Sequence, residues 1–442
     1  MASTYLTRTP SGDGNRKTMT FSFWFKRSIL GSTERIFSTW SNSAANQFWI
    51  RWTSSNELYL VSYTSSSFTT QLITTQLFRD VSAWYHIVIA YDTTQATASN
   101  RIKLYVNGTQ VTTFSTETYP TQNLDTEWNR SSAPNIIGGE PTGGNGEYIS
   151  GSMSHVHFID GTAYDASAFG ETDATTGIWK PKTAPSVTYG TNGFFLKFEN
   201  SGSMGTDSSP NGNNFTVNGT LTQTVDTPSN VFATLNPLWN PNASITLSNG
   251  NLTQTVSGSY LTSATTLGAS QGKWYAEYKA TDVENFGLGI TPLSGIFLNT
   301  TQNVVGDTGN GWGFYYNWGT FNYRYNSTNT GNATTFSNGD IVMIAMDLDN
   351  SKVFFGKNGT WLDSGDPVNG TNPAFSNVSS DDPIGFAVAC ESANGSFNFG
   401  NGYFGTTAVS SATTDESGLG IFEYTVPSGY YALCTKNINT QG

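Results

Sequence analysis

Acids, three histidines and two cysteines are the residues that could do chemistry in this chain of 442 residues. Cleaving a glycosidic bond takes two carboxylates opposed across one cleft, and on a strand such groups read as acids at alternate positions. The first half offers Asp92, Asp125, Glu127, Glu140 and Glu147. Only Asp125 and Glu127 alternate, and they lie in a Thr- and Asn-rich stretch that reads as loop. These acids are read as solvated loop residues. His155 and His157 alternate on one predicted strand, so they share a face and could give a metal two ligands. A zinc site wants more, and no third Cys or His stands nearby. The Gly268–Gly272 phrase, GASQG, has the Gly-x-Ser-x-Gly spelling but runs into a strand rather than a helix, so no nucleophile turn is assigned, and no P-loop occurs. The Gly309–Gly313 run, GNGWG, departs from the dinucleotide fingerprint and enters a strand. Cys390 and Cys434 are read as packed free thiols rather than a disulfide. No catalytic residue is assigned.

The elements that must position these groups are strands. Aromatics reach 14% against 12% charged residues, and Gly, Ser, Thr and Asn abound, so the composition favours sheets joined by many turns over long helices. Thr18–Lys26 places Phe21, Phe23 and Phe25 on one side. In Trp84–Asp92, Tyr85, Ile87, Ile89 and Tyr91 share a face, and the return strand Ile102–Val106 ends in Asn107-Gly108. Lys352–Gly356 runs likewise into Asn358-Gly359, and Asn-Gly is a strong hairpin signal because it tolerates positive φ at both central positions. The formal charge of −12 is spread thinly with no Lys/Arg run, which argues against a nucleic-acid partner and an anionic membrane surface. No apolar run approaches the roughly 20 residues that span a bilayer, so no membrane insertion is expected. The N-terminal residues carry no apolar signal-peptide core, so synthesis and assembly in a cytoplasm are expected.

Three sets of phrases resemble known families. SFWFK, WYHIVIAYD with IKLYVNG, and GSMSHVHFIDGTAY resemble the LamG or concanavalin A-like jelly roll. GKWYAEY, FGLGI, GWGFYY and Phe336–Trp361 resemble the SPRY domain, with Asp347 and Asp349 at a turn where a carboxylate would bond nearby backbone N–H groups. DTPSNVFATLNPL and VPSGYYALCTKNIN resemble segments of marine phage structural proteins. The expected fold is therefore all-β, two tandem antiparallel β-sandwiches: a LamG-like jelly roll over 1–222, a linker over 223–242, a SPRY-like sandwich over 243–405, and a tail over 406–442 packed on the second sandwich.

The concanavalin A-like fold also hosts glycosidases, but their Glu-x-Asp-x-x-Glu pattern is missing. LamG-like domains often bind calcium through loop oxygens, and Asp92, Asn100 and Asp160 are the candidates here, without the spacing of a dedicated calcium loop. No other cofactor is implied. The resemblances imply a non-enzymatic virion protein of a tailed phage, a tail fibre or other surface appendage that attaches to a host glycan or protein. Other virion proteins are expected partners, with assembly as a homo-oligomer, a trimer. A head or tail decoration protein and a glycan depolymerase are the rival readings. Tyr315, Trp318, Phe321 and Tyr323 in the second half, and Trp40 and Trp52 in the cluster with Trp49, are the rings that would contact a ligand if they are exposed. The alternative, that most of them fill cores, stays open.

Overall fold

The alternating stretches fold as strands in the computed structural model, which describes residues 3–40, 45–140, 146–239, 245–257, 261–283, 285–294, 305–306, 311–317, 320–330, 335–379, 381–390 and 394–442. Two compact units divide the chain, residues 1–223 and 224–442.

The first unit pairs an eight-stranded sheet with a six-stranded one. The larger runs Phe114–Thr118, Ser67–Leu77, Glu57–Thr64, Gln47–Trp52, Glu34–Trp40, Asn135–Ile137, Tyr5–Arg8, Thr216–Asn218. The smaller runs Phe194–Leu196, Gly151–Asp160, Thr18–Arg27, Trp84–Asp92, Ile102–Val106, Thr109–Val111. Between them lies a core of Phe21, Phe23 and Phe25 against Phe37, Phe48, Ile50 and Trp52. Phe21 alone meets Phe37, Phe48, Trp128 and Phe158 at ring separations of 5.1 to 5.5 Å. Burying each such ring contributes about 2–3 kcal/mol before entropy is counted. Asn107 (φ 47°) and Gly108 (φ 83°) make the expected tight turn, and the Asn107 side chain accepts the His86 N–H at 2.8 Å.

The smaller sheet has an outer face too, and residues 164–189 cover it. Phe169, Tyr189 and Phe195 pack there on Val88 and Ile159. A short hairpin, Gly170–Thr172 with Trp179–Pro181, belongs to this cover. The bare period-2 pattern does not announce it.

The second unit is again two antiparallel sheets about one core. One contains Ile245–Ser248, Thr253–Val256, Asn394–Asn398, Lys273–Ala280, Ile341–Asp347, Lys352–Lys357 and Thr360–Trp361 in that order. The other contains Leu261–Ala264, Ile384–Cys390, Asn285–Pro292, Trp312–Asn317, Thr320–Tyr325 and Thr328–Thr330. Asp347 accepts from the Asn350 N–H at 3.1 Å and pairs with Lys273 at 3.0 Å, while Asp349 accepts from the Gly272 N–H at 2.7 Å. Both aspartates thus hold the turn. Cys390 and Cys434 are free and buried.

Segments flanking this sandwich are integral to it. The 223–242 stretch, expected as a linker, buries Phe232, Ala233, Leu235 and Trp239. Its backbone bonds to Leu433 and Asn251. Pro228 and Pro237 keep it from being a central strand, but its apolar side chains still belong to the second unit. Phe422, Val426, Tyr430, Ala432 and Cys434 of the C-terminal stretch cover Tyr275, Met343, Ala345 and Phe354. Tyr431–Ala432 pairs parallel with Lys273–Ala280, and a seven-residue helix, Thr435–Gln441, follows. Glu277 fixes this cover. Its carboxyl accepts from the backbone N–H groups of Glu423 and Tyr424, the Tyr275 hydroxyl and the Asn398 amide. Burial nevertheless pushes it up to about 7 against the pull of those donors.

Candidate functional site

Three of the rings proposed for ligand contact are core residues. Trp52 is fully buried, between Phe25 and Phe78. Phe321 stacks on Phe314 at 4.7 Å, and Tyr323 lies over Phe355 with its hydroxyl donating to Asp363 at 2.6 Å. Register explains the correction. Phe321 pairs with Tyr316 and Tyr323 with Phe314, so both fall on the inward face rather than at the turn. Tyr315 points the other way, is half-buried, and lies 5.7 Å from the Arg324 guanidinium. Trp318 lies outside the described residues, as does the side chain of Trp40. A shallow cleft of about 340 Å³ opens near this sheet, lined by Tyr325, Asn326, Thr328 and Phe375.

The calcium candidates are committed elsewhere. Asp160 accepts from the Asn15 N–H, the Asn129 amide and the Asn192 N–H, at 2.7 to 2.9 Å. Asp92 accepts from Thr94 and Gln95 and caps its own turn. Asn100 ends a short 3₁₀ turn, Ala98–Asn100. Among the described residues, no group of three or more His, Cys, Asp or Glu gathers at metal-binding distance.

The histidines differ from expectation as well. A bulge interrupts the pairing between Ser154 and His157, with His155 at φ 47°, so the two do not form a simple alternating pair. His157 lies flat on Phe195 at 3.8 Å and bonds Tyr189 at 2.9 Å. His155 bonds Ser154 at 2.7 Å. His86 stacks on Trp24 at 4.6 Å and accepts from the Trp179 indole N–H at Nδ1, 2.9 Å away, which leaves Nε2 to donate to Ser22 at 2.9 Å. Burial pushes all three down, His86 to about 3. They are uncharged structural groups.

What the strands do assemble is on the outer face of the eight-stranded sheet. Cross-strand register defines three rows there. Gln47, Tyr63 and Phe68 share the first; Ser38, Trp49, Val61 and Gln71 the second; Arg35, Arg51, Tyr59 and Ile73 the third. Trp49, Tyr59 and Val61 cluster, with Tyr63 and Ile73 against them. Phe68, half exposed at 50%, meets Tyr63 edge-on at 4.9 Å.

An ion network stiffens one end of this face. Arg35 lies over the Trp49 ring at 4.8 Å and binds both Glu140 and Glu147. Arg51 lies over Tyr59 at 5.1 Å and reaches Glu147 at 3.7 Å. Glu140 is only 1% exposed, so it and Glu127, which pairs with Arg130 and Arg16, are not the solvated acids expected; Asp125 is. Burial raises the Glu140 carboxyl and lowers the Arg51 guanidinium from their ordinary values. Two carboxylates bridged by one guanidinium are poorly placed to act as acid and nucleophile, since each is already held by a cation. Trp49 is visible in sequence, grouped with Trp52, but the alternation in QFWIRW puts it with Arg51 on the opposite side. Tyr59 and Tyr63 carry the same unread signal, alternation against Leu58 and Leu60, whereas Phe68 shares the parity of the buried Leu72 and reaches the outer face only through the register shift at Ser62/Tyr63.

A family model described as the concanavalin A-like lectin/glucanases superfamily matches residues 2–168. No curated protein matches the chain. Solved structures with similarity include the TRIM65 PSpry domain, 14% identical over 38% of this chain and 88% of that one, at a TM-score of 0.30. The SPRY domain of human HERC1 is 17% identical over 37% and 96%, also at 0.30. A native heptameric SAP-like pentraxin from Limulus polyphemus is 20% identical over 36% and 71%, at 0.27. The chain is all-β, two antiparallel β-sandwiches in succession, and the residues matched by the concanavalin A-like family model lie in the first.

Proposed function

We propose that this chain is a non-enzymatic virion protein of a tailed phage, part of a tail fibre or other surface appendage, that recognises a host-surface glycan or protein. The outer face of the eight-stranded sheet carries the reading: its rings are fixed by a paired Arg/Glu network, and its outermost ring, Phe68, is half exposed. Rigid aromatic contacts of this kind bind with little entropy to lose. The described acids of the first unit support a role without bond cleavage, since Glu34, Glu127, Glu140 and Glu147 are each held by an arginine. The phage-like phrases at 226–238 and 426–439 support the virion, with assembly in the host cytoplasm and display in several copies. Labelled chain is added to host and non-host cells, and particles are imaged with an antibody to it. Binding to host cells alone, with label on the particle surface, is expected. Label on the particle without binding to any host cell would favour a decoration role, and release of reducing sugar from host polysaccharide would favour a depolymerase.

A further inference from the structure

We propose that the cover over the smaller sheet of the first unit is an acid-released flap: protons taken up by His86, His155 and His157 beneath it free residues 164–189 as a unit and bare the sheet face. The proposal is independent of the recognition role above. The chain has three histidines, and register gathers them on this face. Phe195, His157, Ser22 and Val88 form one outward row across four strands, and Trp24 and His86 belong to the next. His155, in the bulge beside them, lies 6.1 Å from the Phe195 ring. The two ends of the flap meet. The Asp160 N–H donates to the Tyr189 carbonyl at 2.9 Å, and Gly161 (φ 98°) and Gly190 (φ 69°) flank the segment. Its hairpin pairs within itself, so residues 164–189 can lift without parting the strands of either large sheet. Two of the bonds that tie it down end on imidazoles. The Trp179 indole N–H donates to His86 Nδ1, and the Tyr189 hydroxyl bonds His157 Nδ1, both at 2.9 Å. A third, from the Tyr164 N–H to Thr20 Oγ1 at 2.8 Å, does not titrate.

Protonation works against each tie. A proton on His86 Nδ1 removes the acceptor and sets an N–H against the Trp179 N–H. His157 is 1% exposed between Phe195 and Phe169, where a charge is costly. Burial lowers all three histidines, and a charge on His155 lowers the other two further. The surrounding charges do not compensate. On the sheet, Lys26, Lys103 and Lys197 are cations, and Glu199 already holds Lys197 at 3.5 Å. On the flap, Asp165 caps Ser167, Glu171 and Asp173 hold Lys180, and Lys182 bonds the Ser167 carbonyl. Each of these carboxylates is engaged, and lower pH protonates carboxylates rather than freeing them. A lowered histidine stabilises the closed form above pH 6.5 and loses that contribution as pH falls through its folded value.

Amide hydrogen exchange of the full chain from pH 7 to 4.5, corrected for the intrinsic rate at each pH, measures the opening. Each histidine that gains a proton on opening raises the opening constant about tenfold per pH unit. Protection of residues 164–189 is expected to fall about 100-fold or more per pH unit between pH 6 and 5, a step of at least two protons. Thr18–Arg27 beneath the flap and Lys273–Ala280 in the second unit should keep their protection. His86→Gln, and separately His155→Gln, which touches neither flap bond, should each make that slope about tenfold shallower. A fall of tenfold or less per pH unit would overturn the proposal, and so would a slope that both variants leave unaltered. Equal loss of protection in Thr18–Arg27 would mean that the whole unit opens, and would overturn it too. Should His86→Gln fail to fold, the parent slope and His155→Gln decide the matter.

Discussion

Replacing Arg35 by Met tests the network that stiffens the outer face. The substitution keeps the length of the side chain and removes the cation. Glu140, at 1% exposure, then loses its partner, and Trp49 loses the guanidinium over its ring. Breaking a buried ion pair by removing one member costs about 3–5 kcal/mol, and a cation over a ring adds roughly 0.5–2. Glu147 retains Arg51, so it adds little. The expected loss is about 4 kcal/mol at pH 8, which for a unit of this size lowers its Tm by roughly 8–16 °C. Glu140 is already raised by burial, and without Arg35 its carboxyl rises further. A raised carboxyl stabilises below its unfolded value and loses that contribution as pH climbs through its folded value. The deficit of Arg35→Met should therefore shrink as pH falls from 8 to 5. Calorimetry of parent and variant across that range reads both quantities. Arg35→Met/Glu140→Met, which removes both charges, should recover to within about 1–2 kcal/mol of the parent. A single variant as stable as the parent at pH 8, or a deficit that ignores pH, would show that the network does not carry the load assigned to it.

Other consequences can be checked as directly. His86→Gln can keep an acceptor for Trp179 but cannot titrate. Because burial lowers His86 from 6.5 to about 3, the histidine's contribution is present above pH 6.5 and fades as pH falls towards 3. The parent's stability relative to His86→Gln, read by urea unfolding, should decline over that interval by up to about 4 kcal/mol, since each tenfold change in proton affinity is worth about 1.4 kcal/mol. Glu277→Ala strips acceptors from four donors and should cost about 3 kcal/mol or more, with faster proteolysis between residues 405 and 430; an unchanged cleavage rate would contradict the stapling role. Burial raises both thiols, Cys390 to about 12, so neither should react with a thiol reagent until the second unit is unfolded.

Much of the fold could be read from local pattern because a strand's side-chain period is short and its turns have their own chemistry. Asn107-Gly108 and Asn358-Gly359 turn where expected, with positive φ at all four residues. What could not be read was which face of a strand another segment covers. Phe232 and Leu235 sit in a stretch with linker composition, yet they are buried by contacts made far along the chain, at Leu433, Cys434 and Asn251. The candidate rings failed for a related reason. Trp52 and Trp49 are three residues apart and so fall on opposite faces, and only register with Leu58 and Val61 shows which face is the core. The bulge at His155 sits opposite Phe23 in the register and sets the imidazole against Phe195, and it leaves no mark in a run that alternates as evenly as SHVHF.

The hairpin that presents Phe68 carries a strain whose removal gives a last test. Its two turn residues, Ser65 and Ser66, have φ of 51° and 61°, between Thr64 and Ser67, which pair directly. Both positions are left-handed, where a serine costs roughly 1–2 kcal/mol relative to glycine and where Asn-Gly is favoured. The backbone N–H groups there donate to Asn46 and to the Ala45 carbonyl, bonds that need no serine side chain. Ser65→Asn/Ser66→Gly should therefore raise stability by about 1–2 kcal/mol in urea unfolding, offset in part by the entropy of the glycine in the unfolded chain. If the turn exists only to aim Phe68 and Tyr63, binding through the face should persist or tighten. A destabilised variant would mean that the serine side chains, rather than the backbone geometry, hold the turn. A stable variant with lost binding would place the serines themselves in the contact.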